Sequence, residues 1–311
     1  MTQKMTPQTA PAPQLGKFVT GSTMRHVLTM TATGSIGLVA VFIVDLLNLF
    51  YISRLGQQAL AAAVGYASTL LFFITSLCIG LSIAATALTS RALGKGDRAQ
   101  AVQLAGASLV IMGGAALLVT LLMWPFLHPL LELLGARGET ADLATGFLRI
   151  VLPSSPLLAL GMGLVGLLRA TGDAKRSMYV TLTAGLAVAV LDPLFIFGFG
   201  WGLHGAAWAT ALARIVMLAI GFNALIRIHH LFAWPSAAVL RQTLTPFMAI
   251  GLPAVLTQVA TPVGNAVVTA AMARFGDDAV AGWAVVGRII PVAFVVLFAL
   301  SGSVGAVLGQ N

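Results

Sequence analysis

The chain has 311 residues, of which 59% are hydrophobic and only 8% are Asp, Glu, Lys or Arg, against roughly 25% in soluble domains. No soluble surface can be made from that share of charge, which excludes disordered, disulfide-rich secreted and ordinary cytosolic enzyme classes. The net charge of +8 is scattered among short loops between apolar runs, so it reads as membrane topology rather than as a nucleic-acid surface.

Residues 55–90, 99–131 and 242–273 contain no Asp, Glu, Lys or Arg, and each exceeds the roughly 20 residues that cross a bilayer as a helix. The chain therefore reads as an all-α, polytopic membrane protein. Residues 1–22 form a Pro-, Gln- and Thr-rich tail, expected to be unstructured and without the apolar stretch of a cleavable signal peptide. Eight spans are expected to follow, near residues 24–52, 64–89, 101–125, 146–168, 177–198, 204–226, 246–272 and 281–307. The pair Trp124-Pro125 supplies an interfacial anchor and stop for the third. The lone Cys78 sits inside an apolar run and has no second cysteine to bridge.

Orientation follows from Lys and Arg at the span ends. With a cytoplasmic N-terminus, the inner flanks hold eleven of them, from Lys4 to Arg241, and the outer flanks only Arg54, Arg137, Arg149 and Arg274. The expectation is a cell-membrane (inner-membrane) protein with its N-terminus inside. Arg214 and Arg288 are left within the spans.

An internal repeat is visible. RLGQQALAAA at 54–63 and RFGDDAVAGW at 274–283 are 220 residues apart and place span 7 over span 1 and span 8 over span 2, entering from the same side. Parallel repeats related by an axis along the membrane normal are a transporter architecture. The second copy reaches LGQN at 308–311, where the first has LGKG at 93–96. The expected organisation is an N-lobe at 23–228 with spans 1 to 6, an inter-lobe loop at 229–245, and the first two spans of a C-lobe at 246–311.

Several segments resemble the multidrug and toxic compound extrusion (MATE) family. They are VDLLNLFYISRLGQQALAAAVG at 44–65, GLSIAATALTSRALGKGDRAQA at 80–101, LRATGDAKRSM at 168–178, LDPLFIFGFGWGLHGAAWATA at 191–211, and GLPAVL with RFGDDAVAG in the second copy. The resemblance implies twelve spans in two six-span lobes around a cavity that opens alternately to each side, so the remaining C-lobe helices are expected as partners in a longer chain. It also implies a secondary antiporter that exports organic cations, drugs or other amphipathic xenobiotics against entry of protons or, less in keeping with these residues, sodium ions. Three departures qualify it. Asn48 stands where many members carry an Asp, with the carboxylate Asp45 one turn earlier; Val188 replaces an Asn four residues before Asp192; and span 7 lacks the Glu usual in the sodium-coupled branch.

The polar residues inside the spans are the candidate site. A carboxylate near a helix centre costs about 2.5 to 3.5 kcal/mol on insertion scales, so Asp45 and Asp192 are read as ion-coupling residues, with an interhelical hydrogen bond or ion pair as the structural alternative for Asp45 and a capping role near the helix end for Asp192. Both stand roughly 10 Å below the outer surface by helical rise. Asp45 is expected to be the principal carrier, with Asn48 on the same face. Pro193 bends the helix beside Asp192. Gln258, Thr261, Asn265 and Thr269 make a polar stripe on span 7, expected to line the substrate cavity or to bond a neighbouring helix. Arg214, mid-span, either neutralises an acid or faces the cavity, and Arg288 pairs structurally or snorkels.

Other motifs fail on context. GMGLVG at 161–166 matches GxGxxG but lies within a span, so it reads as close helix packing. His229 and His230 stand in a basic loop without a neighbouring Cys or acid, and no metal or other cofactor is expected. A lipid-linked-precursor flippase asks for more cavity cations than Arg214 and Arg288. A membrane enzyme asks for a nucleophile with its base, and none is legible. The expected partners are amphipathic or cationic small molecules and the bilayer, with no nucleic acid.

Overall fold

The computed structural model describes residues 16–54, 58–272, 274, 283, 286, 289–290 and 292–311. Ten α-helices run through them: α1 (Thr23–Ser53), α2 (Gln58–Gly94), α3 (Arg98–Met123), α4 (Leu127–Leu133), α5 (Glu139–Val151), α6 (Ser155–Ala170), α7 (Ala174–Pro193), α8 (Gly202–Phe222), α9 (Ala237–Met272) and α10 (Val295–Gln310). Seven segments among the described residues are long and apolar enough to span a membrane, and they coincide with expected spans 1 to 7. Of span 8, the structure describes chiefly α10. Arg288 lies outside the described residues.

Local chemistry explains where the helices start and stop. At two loops a Gly-Asp pair does both jobs. Gly96 (φ 76°) and Gly172 (φ 79°) adopt the left-handed conformation that a side chain would strain. The next residue, Asp97 or Asp173, donates its N–H back to the carbonyl of Ala92 or Leu168 at 3.0 Å. Its carboxylate then accepts from the first turn of the next helix, at Gln100 N (2.8 Å) or Arg176 N (3.0 Å). The fourth expected span is broken rather than continuous. Pro153 and Pro156 leave a 3-10 turn at Leu152–Ser154 between α5 and α6, because neither can donate to the helical ladder. Beyond Pro193, α7 ends in a π-turn over Leu194–Gly198.

The helices pack around α2, which meets α3, α5 and α6 on one side and α9 and α10 on the other, while α1 packs on α7 and α10. The repeat maps α1 onto α9 and α2 onto α10, so it exchanges the α1–α10 contact with the α2–α9 contact. The α2–α9 seam is the closer one: a Cβ on Gly80 would lie 2.6 Å from the Val255 backbone, whereas at the α1–α10 seam one on Gly34 would lie in ordinary contact, 3.5 Å from Ala299 Cβ. Helix α10 also presses on α2, where a Cβ on Gly94 would lie 2.2 Å from the Gln310 carbonyl oxygen. Among the described residues the first lobe has three buried apolar clusters, one built around Cys78, Leu148 and Leu152, a second around Leu164 and Leu167, and a smaller one around Leu168, Val180 and Met217. The second also takes in Phe247 of α9.

Two boundaries differ from expectation. Of the tail expected to be unstructured through residue 22, residues 16–22 hold a defined course: Phe18 is buried, its N–H donates to Gln310 Oε1 at 2.9 Å, and Lys17 Nζ donates to the Gly172 carbonyl at 3.0 Å. The inter-lobe loop is shorter than 229–245. Ser236 accepts from Val239 N at 3.3 Å and starts α9 at Ala237, and that helix continues through Pro246, Pro253 and Pro262. The end carrying residues 16–22, 95–98, 171–176 and 228–236 is called the basic end below. At the opposite end the rings of Phe195, Phe199 and Trp201 cluster with centroids 5.4–5.6 Å apart, in keeping with an interfacial aromatic belt.

Candidate functional site

Two acids were expected near the far ends of α1 and α7, and the structure shows how one of them is held. Asp192 is fully buried. Its Oδ2 accepts a hydrogen bond of 2.7 Å from Asn48 Nδ2, across the α1–α7 interface. Its Oδ1 has no partner among the described residues. A carboxylate so placed keeps one oxygen open, in a setting where polar groups are normally satisfied. Asp45 lies one turn before Asn48 on α1, but its side chain is outside the described residues. Asn48, expected on the same face of α1 as Asp45, is the group that bonds to Asp192 among the described residues.

Among the described residues Arg214 does not pair with Asp192 or any other acid. It is buried, and its Nη1 donates to the Val151 carbonyl at 3.1 Å and to Ser154 Oγ at 2.7 Å. The 3-10 turn explains this partner: Ser155 N–H bonds to Leu152 instead of Val151, which leaves the Val151 carbonyl without its helical donor. The Ser154 hydroxyl, donating to the same carbonyl at 2.7 Å, and Arg214 fill that place together, inside the first lobe.

Along α9, Gln258 is half-buried, while Thr261 and Asn265 are exposed; the Thr269 side chain is outside the described residues. Thr261 and Asn265 thus face outward, whereas Gln258 follows Gly251 and Val255, which pack on α2, along one face of the helix.

Two arrangements escaped the sequence. His229 has an acid after all: its Nε2 lies 2.9 Å from Asp173 Oδ2, 56 residues away in the chain. The Arg176 side chain bonds to the same oxygen, and Arg98 donates to the His229 carbonyl. Burial by itself raises the Asp173 carboxyl, but the hydrogen bonds from Arg176 and His229 outweigh it and hold the group below its ordinary value. No group of three or more His, Cys, Asp and Glu suited to a metal occurs among the described residues. The second arrangement is Arg169 of α6, whose Nε donates to Ser177 Oγ at 3.3 Å. The LRATGD motif marked that position, but only as a basic span end.

A multi-span bundle with a parallel repeat, two contacts between the copies and a buried, half-satisfied carboxylate has the architecture of membrane transporters. The sequence profile of the MatE family matches residues 35–194, and the chain belongs to that family, one of transporters and not of enzymes. It is 30% identical over 294 residues to an FAD transporter of Shewanella oneidensis, covering 92% of this chain and 65% of that protein. It is 26% identical over 284 residues to the multidrug export protein MepA of Staphylococcus aureus, covering 89% of this chain and 62% of that protein. Among solved structures, the Vibrio cholerae MATE transporter VcmN superposes with a TM-score of 0.86 at 30% identity, covering 92% of this chain and 65% of that one. A MOP superfamily transporter from Pyrococcus furiosus gives 0.87 at 24% identity, covering 97% and 68%, which speaks for the fold alone. The chain thus spans less than two thirds of the length of the curated relatives.

Proposed function

We propose that this chain forms the coupling lobe of an alternating-access antiporter that exports amphipathic organic molecules across the cell membrane, driven by proton entry, with the N-terminus in the cytoplasm. The observation that carries the reading is the Asn48–Asp192 pair with the bare Asp192 Oδ1. No Lys or Arg lies within ion-pair distance of Asp192 among the described residues, so the negative charge is compensated only by the Asn48 amide. A proton arriving at Oδ1 neutralises that charge, and its departure restores it.

The consequence passes to the seam through α1. This helix carries Asn48 against α7 and, on another face, packs on α10, so a change at the pair biases the contact between the two copies. Sodium coupling through span 7 has no carboxylate to use, since α9 contains no Asp or Glu. The named relatives support a small-molecule cargo, one being a multidrug exporter and the other an FAD transporter.

The test is dye efflux from exporter-deleted cells expressing a form of the protein with the second lobe complete, with proton and sodium gradients collapsed separately. Collapse of the proton gradient and Asp192→Asn should each abolish energised efflux, and Asp45→Asn should impair it. If Asp192→Asn transports at the wild-type rate with the same pH dependence, the assignment fails.

A further inference from the structure

Arg169 stands near the last turn of α6, facing a narrow cavity lined by Gly34 and Gly37 of α1 and by Ser177, Met178 and Thr181 of α7. The cavity has room for little more than a water. Helix α10 passes beside it, against the guanidinium: Ala299 touches the position of Gly34, and a Cβ on Gly302 would lie 2.8 Å from Arg169 Nη1. Only a glycine there lets α10 come so near to the guanidinium.

What Arg169 lacks among the described residues is a counter-charge. No carboxylate lies within ion-pair distance among the described residues, and its one hydrogen bond uses Nε, leaving the planar fork of its terminal nitrogens unused. The nearest acid in sequence, Asp173, is committed to Arg176 and His229. The neighbouring hydroxyls are committed too, Ser177 Oγ donating to the Val165 carbonyl at 3.3 Å and Thr181 Oγ1 to the Met178 carbonyl at 2.9 Å. A guanidinium fork with two free edges matches a carboxylate or phosphate. The Asp192 carboxylate cannot serve, because Ser177 and Asp192 are separated by about 22 Å along α7 at helical rise.

We infer that the basic-end half of the transport path recognises an amphipathic anion, whose carboxylate or phosphate meets the Arg169 guanidinium when α10 separates from α6. The inference rests on the alternating-access reading above, since the cavity admits such a group only with the seam open. It assigns opposite polarities to the two ends of the path: a bare cation at the basic end and a bare carboxylate oxygen at the other.

The test measures binding, by fluorescence anisotropy, of carboxyfluorescein as the amphipathic anion and ethidium as the amphipathic cation. The protein, with the second lobe complete, is held in phosphatidylcholine nanodiscs. Arg169→Gln should weaken carboxyfluorescein at least tenfold and leave ethidium unchanged, and Arg169→Lys, which keeps the charge but loses the fork, should weaken carboxyfluorescein about threefold. Unchanged carboxyfluorescein affinity in Arg169→Gln overturns the inference, as does an equal loss of both dyes that Arg169→Lys does not restore. A parallel arm adds phosphatidylglycerol. If the anionic lipid displaces carboxyfluorescein from the wild type, the occupant is a lipid headgroup and the substrate assignment falls. Failure of the wild type to export ethidium in cells counts against the antiporter reading alone, because dye binding does not depend on transport.

Discussion

The α5–α6 span and α9 are of similar length and composition, yet 61% of the most apolar window of the first is buried and only 11% of the second. The first span sits between α2, α3 and α8, so its Leu148, Leu152, Leu164 and Leu167 meet protein on all sides. Helix α9 touches α2 and α3 through its first half, where Phe247 and Gly251 are buried, and then presents Leu256, Val263 and Val267 outward. Apolar sequence therefore says that a helix belongs in a bilayer. Which helices form the cohesive core is decided by neighbours, since lipid is as good a solvent for Leu as protein is.

The largest expected effect that sharpens this contrast is in the core. Leu164→Ala should destabilise the protein by about 2 to 5 kcal/mol, the usual cost of a buried Leu truncation, whereas Leu256→Ala on α9 should stay within about 0.5 kcal/mol. Thermal unfolding in nanodiscs, followed by circular dichroism, gives both values, and equal losses would break the comparison.

The seam comes next. Gly80→Leu must push α9 away from α2, because the added Cβ begins 2.6 Å from the Val255 backbone. The expected outcome is loss of cysteine cross-linking between positions 84 and 251, with a fall in unfolding free energy of about 1 to 3 kcal/mol. Retained cross-linking would show that the seam yields without parting.

The smallest effect belongs to the loop cluster at the basic end. Asp173 is held below its ordinary value in the folded chain, so the stability it contributes is present above the unfolded carboxylate pKa and is lost as pH falls through the lowered folded one. Asp173→Asn should cost about 1 kcal/mol at neutral pH, in line with loss of a helix cap, and should flatten the acid limb of the stability profile. A mutant whose acid limb is as steep as that of the wild type would assign the pH response to other carboxylates.

The first lobe's helices were legible because each is a local event. Long apolar runs gave spans 1 to 7, and the Gly-Asp pairs at 96–97 and 172–173 stop one helix and cap the next within a few residues. The membrane character, the parallel repeat and the presence of Asp192 inside a span came from sequence for the same reason: composition, spacing and the cost of an intramembrane charge need no tertiary information. Only the tertiary structure decided partners. Among the described residues, Asn48 meets Asp192 across 144 residues of chain, Arg214 turns to the carbonyl freed at the Pro153 break instead of to an acid, His229 finds Asp173, and Arg169 is left facing a cavity without a carboxylate. A helix's sequence tells what each face carries, but its rotation and tilt are set by packing against every neighbour at once, and a side chain a few ångströms off that rotation meets a different group.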